Sequence, residues 1–176
     1  ILKHIKDQAQ IAIDTADVIL FVTDIRSGVT ANDYDVATML LKSGKPTVLV
    51  VNKCDTIGNV PDDIYDFYSL GLGEPFPVSS VHGHGTGDIL DECFKYITYS
   101  EETDDEDERI SVAVIGRPNV GKSSLVNKIL GQQRMIVRDE SGTTRDAVDS
   151  YIENKHGKFI FTDTAGMRKR GNVDEG

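Results

Sequence analysis

Gly116-Arg117-Pro118-Asn119-Val120-Gly121-Lys122-Ser123 fits the pattern GxxxxGK[ST] and stands between an apolar run at 110–115 (ISVAVI) and a helix-patterned stretch at 122–130. Strand, Gly-rich turn and helix in succession is the context in which this pattern cradles phosphate. Glycines let successive backbone N–H groups converge on an anion, and the helix that follows turns its positive end toward it. Lys122 supplies a cation for phosphate oxygens, and the Ser123 hydroxyl a ligand for magnesium. A chance Gly-rich turn is the alternative, and the flanking elements weigh against it.

Downstream, 146–153 and 158–162 read as a hairpin turning around 154–157, and the second strand runs into Asp163-Thr164-Ala165-Gly166. A carboxylate at Asp163 can hold magnesium through water, and the Gly166 N–H can meet a terminal phosphate. DxxG alone is weak, since an Asp before a turn is common; about 40 residues after a phosphate loop it gains force. Between the two lies Gly142-Thr143-Thr144-Arg145-Asp146, where the Thr144 hydroxyl can complete a magnesium shell. Two exposed threonines in a loop are the plainer alternative for that segment.

Upstream, the run PTVLVV at 46–51 leads directly into Asn52-Lys53-Cys54-Asp55, an NKxD pattern. Guanine offers adjacent N1–H and N2–H donors that one carboxylate, here that of Asp55, can accept together; adenine has no such fork. Ser79 and Ser80 close the next short strand, 76–79, where the Ser80 backbone N–H is expected to face guanine O6. His82 and His84 read as exposed loop residues.

Around these motifs, helical spacing from Ile1 to Ile13 precedes a β-branched and aromatic run at 17–24 (DVILFVTD), and further helices are expected at 33–42, 61–69 and 86–96. Strands and helices alternating in this way predict an α/β fold with a mostly parallel six-stranded sheet, one strand antiparallel. The two sets of motifs are separated by 100–108 (SEETDDEDE), which has no apolar residue and reads as an exposed linker.

The chain has 176 residues and 39% hydrophobic content, an ordinary globular composition with no apolar run long enough for a membrane span. Its net charge is -10, but residues 101–109 hold seven acids against one base, which leaves 22 acids against 18 bases elsewhere. Nothing in that balance predicts direct nucleic-acid binding by electrostatics. Cys54 and Cys93, far apart and without metal-ligand spacing, fit a reducing, cytoplasmic compartment. Residue 1 is Ile, and 1–14 reads as the middle of an element, so a piece of a longer polypeptide is expected.

Together the motifs resemble the G1 to G5 set of a translation-factor-class GTPase. More closely, residues 116–131 (GRPNVGKSSLVNKILG), 140–150 (ESGTTRDAVDS), 163–170 (DTAGMRKR), 15–37 (TADVILFVTDIRSGVTANDYDVA), 45–55 (KPTVLVVNKCD) and the acidic linker resemble the Der (EngA) family of bacterial ribosome-assembly GTPases. That family carries two G domains in tandem and then a KH-like domain. The resemblance implies that 1–99 is the back half of a first G domain, with G4 and G5, that 100–109 is the linker, and that 110–176 is the front half of a second, with G1, G2 and G3. It also implies GTP and GDP as ligands, Lys122, Thr144 and Gly166 as catalytic groups, and the large ribosomal subunit as the parent family's partner. The parts of each G domain that the resemblance would require outside this chain put activity of the piece in doubt.

Met167 stands where Ras-like GTPases carry a water-orienting glutamine, and a thioether cannot do that work. Relatives with an apolar residue there often recruit potassium, with the asparagine matching Asn119 as a ligand; turn propensity after Pro118 is the alternative reason for Asn119.

In this chain the motifs run G4, G5, G1, G2, G3, a circular permutation of the ordinary order. YlqF-like ribosome-assembly GTPases use the same order. The halves are therefore expected to dock as one compact P-loop G domain with strand order 2-3-1-4-5-6 in ordinary numbering, joined where run 17–24 meets run 110–115. An inert fragment with no complete nucleotide site, and a metabolic P-loop ATPase or kinase, are the competing readings.

Overall fold

The computed structural model describes residues 2–56, 58–96, 109–132, 148–154 and 157–163. Among these residues six strands form: β1 (Val18–Asp24), β2 (Thr47–Asn52), β3 (Pro75–Pro77), β4 (Arg109–Ile115), β5 (Val148–Asn154) and β6 (Gly157–Asp163), with the apolar runs of the sequence in β1, β2 and β4. They form a six-stranded sheet in the order β3-β2-β1-β4-β6-β5, with every neighbouring pair parallel except β5 and β6. This is the predicted permuted G-domain order, read from the other edge.

The middle of the sheet is the pairing of β1 with β4, which sets Val18 opposite Val112 and Phe21 opposite Ile115. Asp17 extends the ladder, its N–H donating to the Ser111 carbonyl (2.8 Å) and its Oδ2 accepting the Ser111 N–H (2.9 Å). Unpaired, each of these apolar strands would present an open edge. Strand alternation then divides the core into two layers. Val18, Leu20, Val22, Val48, Val50, Val112, Val114, Phe159 and Phe161 face α3 (Thr86–Lys95) and α4 (Lys122–Gln132). Ile19, Phe21, Leu49, Val51, Ala113 and Ile115 face α1 (Leu2–Thr15), α2 (Ala31–Ser43) and a 3-10 helix (Asp62–Leu70). Every fully buried Leu, Ile, Val or Phe here contributes about 1.5–3 kcal/mol.

Three local expectations need correction. The helix expected at 61–69 is a 3-10 helix, Asp62–Leu70, entered through Pro61, and its buried residues Ile64, Phe67 and Leu70 recur at a spacing compatible with the 3-10 period. The strand expected at 76–79 is only Pro75–Pro77, an edge strand bounded by prolines, after which Ser79 makes an isolated antiparallel bridge to His84. Arg109, expected in the linker, is the first residue of β4; the rest of that linker, 100–108, lies outside the described residues, as does the start of the expected hairpin, 146–147. Among the described residues, no helix is long and apolar enough to cross a membrane.

Candidate functional site

In open α/β sheets, ligands bind beyond the carboxyl ends of the strands. Here those ends carry Asp24 (β1), Asn52 (β2), Ile115 (β4) and Asp163 (β6). The turn after β4 holds Gly116 to Gly121, and its two glycines are fixed by close approach of the other segment. A Cβ on Gly116 would collide with the Val22 carbonyl oxygen, and one on Gly121, whose φ is +93°, with the Asn52 side-chain amide. Between them Asn119 takes a φ of 70°, which asparagine tolerates better than most residues. Pro118 and Asn119 are exposed and Val120 is buried. Lys122 opens α4, is 7% exposed, and donates to the Gly116 carbonyl oxygen. Ser123, half-buried, follows it in the first turn of α4.

The NKxD residues meet this turn side on. Asn52, 2% exposed, donates from Nδ2 to the Val120 carbonyl (2.9 Å), and its Oδ1 accepts from the Ser80 hydroxyl (2.9 Å) and the Ser80 N–H (3.2 Å). One buried side chain thus ties β2 to the Gly-rich turn and to the loop after β3. The Ser80 N–H, expected at guanine O6, lies on this same edge, within 3.2 Å of Asn52 Oδ1. Lys53, at a φ of 68°, donates from Nζ to the Asn119 carbonyl and to Asp24 Oδ2, each at 2.8 Å. Cys54 lies behind this line, its N–H donating to the Val78 carbonyl (3.0 Å); burial pushes its thiol above the ordinary range, so it is a neutral spacer. Asp55 Oδ1 accepts from the Ser79 hydroxyl (2.6 Å), and its Oδ2 pairs with Arg26 Nη2 (2.8 Å).

Sequence reasoning missed the loop between β1 and α2. Asp24 Oδ1 accepts the Arg26 N–H (2.8 Å), and Ser27 Oγ accepts from Arg117 Nη2 (2.7 Å). Arg117 Nε also reaches Asp33 Oδ1 (3.3 Å). Asp33, 1% exposed, is held by a capping box with Thr30, so the guanidinium of Arg117 meets a carboxylate already fixed in place. The signal available in the sequence was position: 24–33 (DIRSGVTAND) is a polar stretch at the carboxyl end of a buried parallel strand.

Of the expected site residues, the structure brings together Asn52, Lys53, Cys54, Asp55, Ser79 and Ser80 with Gly116 to Ser123. Thr144, Thr164, Ala165, Gly166 and Met167 lie outside the described residues. Asp163 is the last residue of β6 and pairs with Val114, so it ends beside the start of the Gly-rich turn. His82 and His84 are exposed, with rings 6.0 Å apart, and among the described residues no cluster of three or more metal-ligating side chains occurs. The arrangement offers backbone donors and a cation for an anion at one end, and a carboxylate for paired N–H donors at the other.

A family model described as 50S ribosome-binding GTPase matches residues 2–53 and 111–175. GTPase Der of Acetivibrio thermocellus is 54% identical over 175 residues, and GTPase Der of Enterococcus faecalis 57% identical over 175 residues. In both comparisons 99% of this chain is covered, and the chain spans 40% of the relative's length. The crystal structure of YjeQ from Thermotoga maritima superposes with a TM-score of 0.51 at 21% identity, covering 83% of this chain and 47% of that one, a likeness of fold.

Proposed function

We propose that this chain, which belongs to the 50S ribosome-binding GTPase family, is a guanine-nucleotide-binding and slowly GTP-hydrolysing module of a cytoplasmic ribosome-assembly factor acting on the large subunit. Residues 1–99 correspond in this reading to the back half of one G domain and 110–176 to the front half of another, combined into one site. The observation that carries it is the pair of contacts from Asn52 to Val120 and from Lys53 to Asn119 (2.9 and 2.8 Å), which join the base-reading and phosphate-binding motifs across the two segments.

In that role Asp55 accepts guanine N1–H and N2–H, oriented by Ser79. The Gly116 to Gly121 backbone and Lys122 hold the phosphates, and the cation draws charge from the bond that breaks. Ser123, Thr144 and Asp163 are hard oxygen donors of the kind magnesium prefers, and β6 ends beside the Gly-rich turn, so the donor set fits that ion. When bound, magnesium neutralises phosphate charge. Thr144 and Gly166 would meet the terminal phosphate. With Met167 unable to orient water, basal hydrolysis is slow, and Asn119 is assigned to a potassium ion.

Binding of fluorescent GDP, GTP and ATP to the purified chain tests this reading. Guanine nucleotides bind and ATP does not, and Lys122→Ala abolishes binding with an unchanged circular dichroism spectrum. Equal binding of ATP would favour a metabolic P-loop enzyme, and no binding by a folded chain would leave an inert fragment. Hydrolysis faster in potassium than in sodium, with the difference lost in Asn119→Ala, supports the potassium assignment; equal rates refute it.

A further inference from the structure

The carboxylate assigned to the base is already paired. Arg26 Nη2 lies 2.8 Å from Asp55 Oδ2, while Ser79 holds Oδ1. The backbone that presents Arg26 is pinned beside the NKxD segment. Its N–H donates to Asp24 Oδ1 (2.8 Å), the preceding Ile25 N–H donates to the Asn52 carbonyl (3.1 Å), and Gly28 closes the turn onto Ile25 (3.3 Å). The Arg26 side chain itself is 67% exposed, and among the described residues its guanidinium has no second carboxylate partner. A fixed backbone thus carries a loosely held head group to one particular acid.

The chemistry of that head group is specific. The N1–C2–N2 edge of guanine is itself a cyclic guanidine, and the guanidinium of Arg26 offers the same kind of planar N–H donors to the same carboxylate. We propose that Arg26 is an affinity-determining residue of the base pocket, a latch that occupies Asp55 when no nucleotide is bound and is displaced by the guanine edge. The idea rests on the assignment of Asp55 to guanine. It makes the competent site only a fraction of the empty population, and apparent affinity falls by that fraction. An ion pair this exposed is weak and screened by salt, so the latch slows entry without closing the site.

The test is stopped-flow binding of fluorescent GDP to the wild-type chain, Arg26→Ala and Arg26→Gln, at low and high ionic strength. At low ionic strength the association rate and affinity rise about two- to sixfold in both variants, the range an exposed ion pair allows. The dissociation rate is unchanged, because the latch is open in the bound state, and the gain shrinks at high ionic strength. Unchanged association, or faster dissociation in the variants, overturns the latch and in the second case makes Arg26 a positioning residue for Asp55. A wild-type chain that binds no GDP refutes the underlying assignment instead, so the two failures are distinct.

Discussion

The ammonium of Lys53 donates to the carbonyl oxygen of Asn119 at 2.8 Å, joining residues 66 positions apart in the chain and the two motifs a nucleotide would span. The same nitrogen pairs with Asp24 at 2.8 Å, so one side chain ties the ends of β1 and β2 to the Gly-rich turn after β4. Its own backbone sits at a φ of 68°, a conformation costing a non-glycine residue roughly 1–2 kcal/mol. The contacts it makes offset that cost.

Replacing Lys53 with Met keeps the aliphatic stem and removes the donor. Asp24 then retains its Arg26 N–H partner but loses its cation. We expect a loss of about 1.5–3 kcal/mol in stability by urea denaturation, together with weaker GDP binding. A variant as stable as the wild type would mean that the bridge contributes nothing in solution.

Asp55→Asn tests base reading directly. The amide can no longer accept both donors of guanine, but its NH2 can donate to the C2 carbonyl of xanthine. GTP binding should weaken by about 1.5–3 kcal/mol while xanthosine triphosphate binding improves. Unchanged GTP affinity would remove Asp55 from the site.

Leu20 lies fully buried in the central strand, in the core layer shared by both segments. Leu20→Ala should cost about 2–5 kcal/mol. Unfolding should remain one transition when followed by far-ultraviolet circular dichroism and by tyrosine fluorescence. Two separated transitions would show that the segments fold independently.

Stability should also fall in alkali. Burial pushes the Cys93 thiol from 9.0 up to about 12. Because the folded-state value is the higher one, the unfolded chain ionises first. The contribution is therefore intact below pH 9 and is lost as the pH rises through 9 toward 12. Denaturation midpoints across that range in the wild type and Cys93→Ala check the sign: the wild type should lose more stability. Equal losses would assign the decline to other groups.

Much of this molecule was legible in the residues themselves. The runs at 17–24, 46–51 and 110–115 are apolar on both faces, which only a strand covered on both sides can satisfy, and the glycines at 116 and 121 mark a turn whose backbone must come close to something. Periodicity failed where it was ambiguous: Ile64, Phe67 and Leu70 suit a 3-10 period as well as an α-helical one over so short a stretch. What touches Gly116 and Gly121, the partner of Arg117, and the pairing of Arg26 with Asp55 were not legible, because each joins residues 29 to 94 positions apart. Such contacts depend on the register of β1 against β2 and β4, and the order of the motifs names which strands are neighbours without fixing how far each is shifted along the other. The tertiary structure decided that, by setting Asp24 opposite Asn52 at the ends of β1 and β2 while β4 ends earlier, opposite Phe21, so that carboxylates, amides and the Gly-rich turn converge where no single segment holds them all.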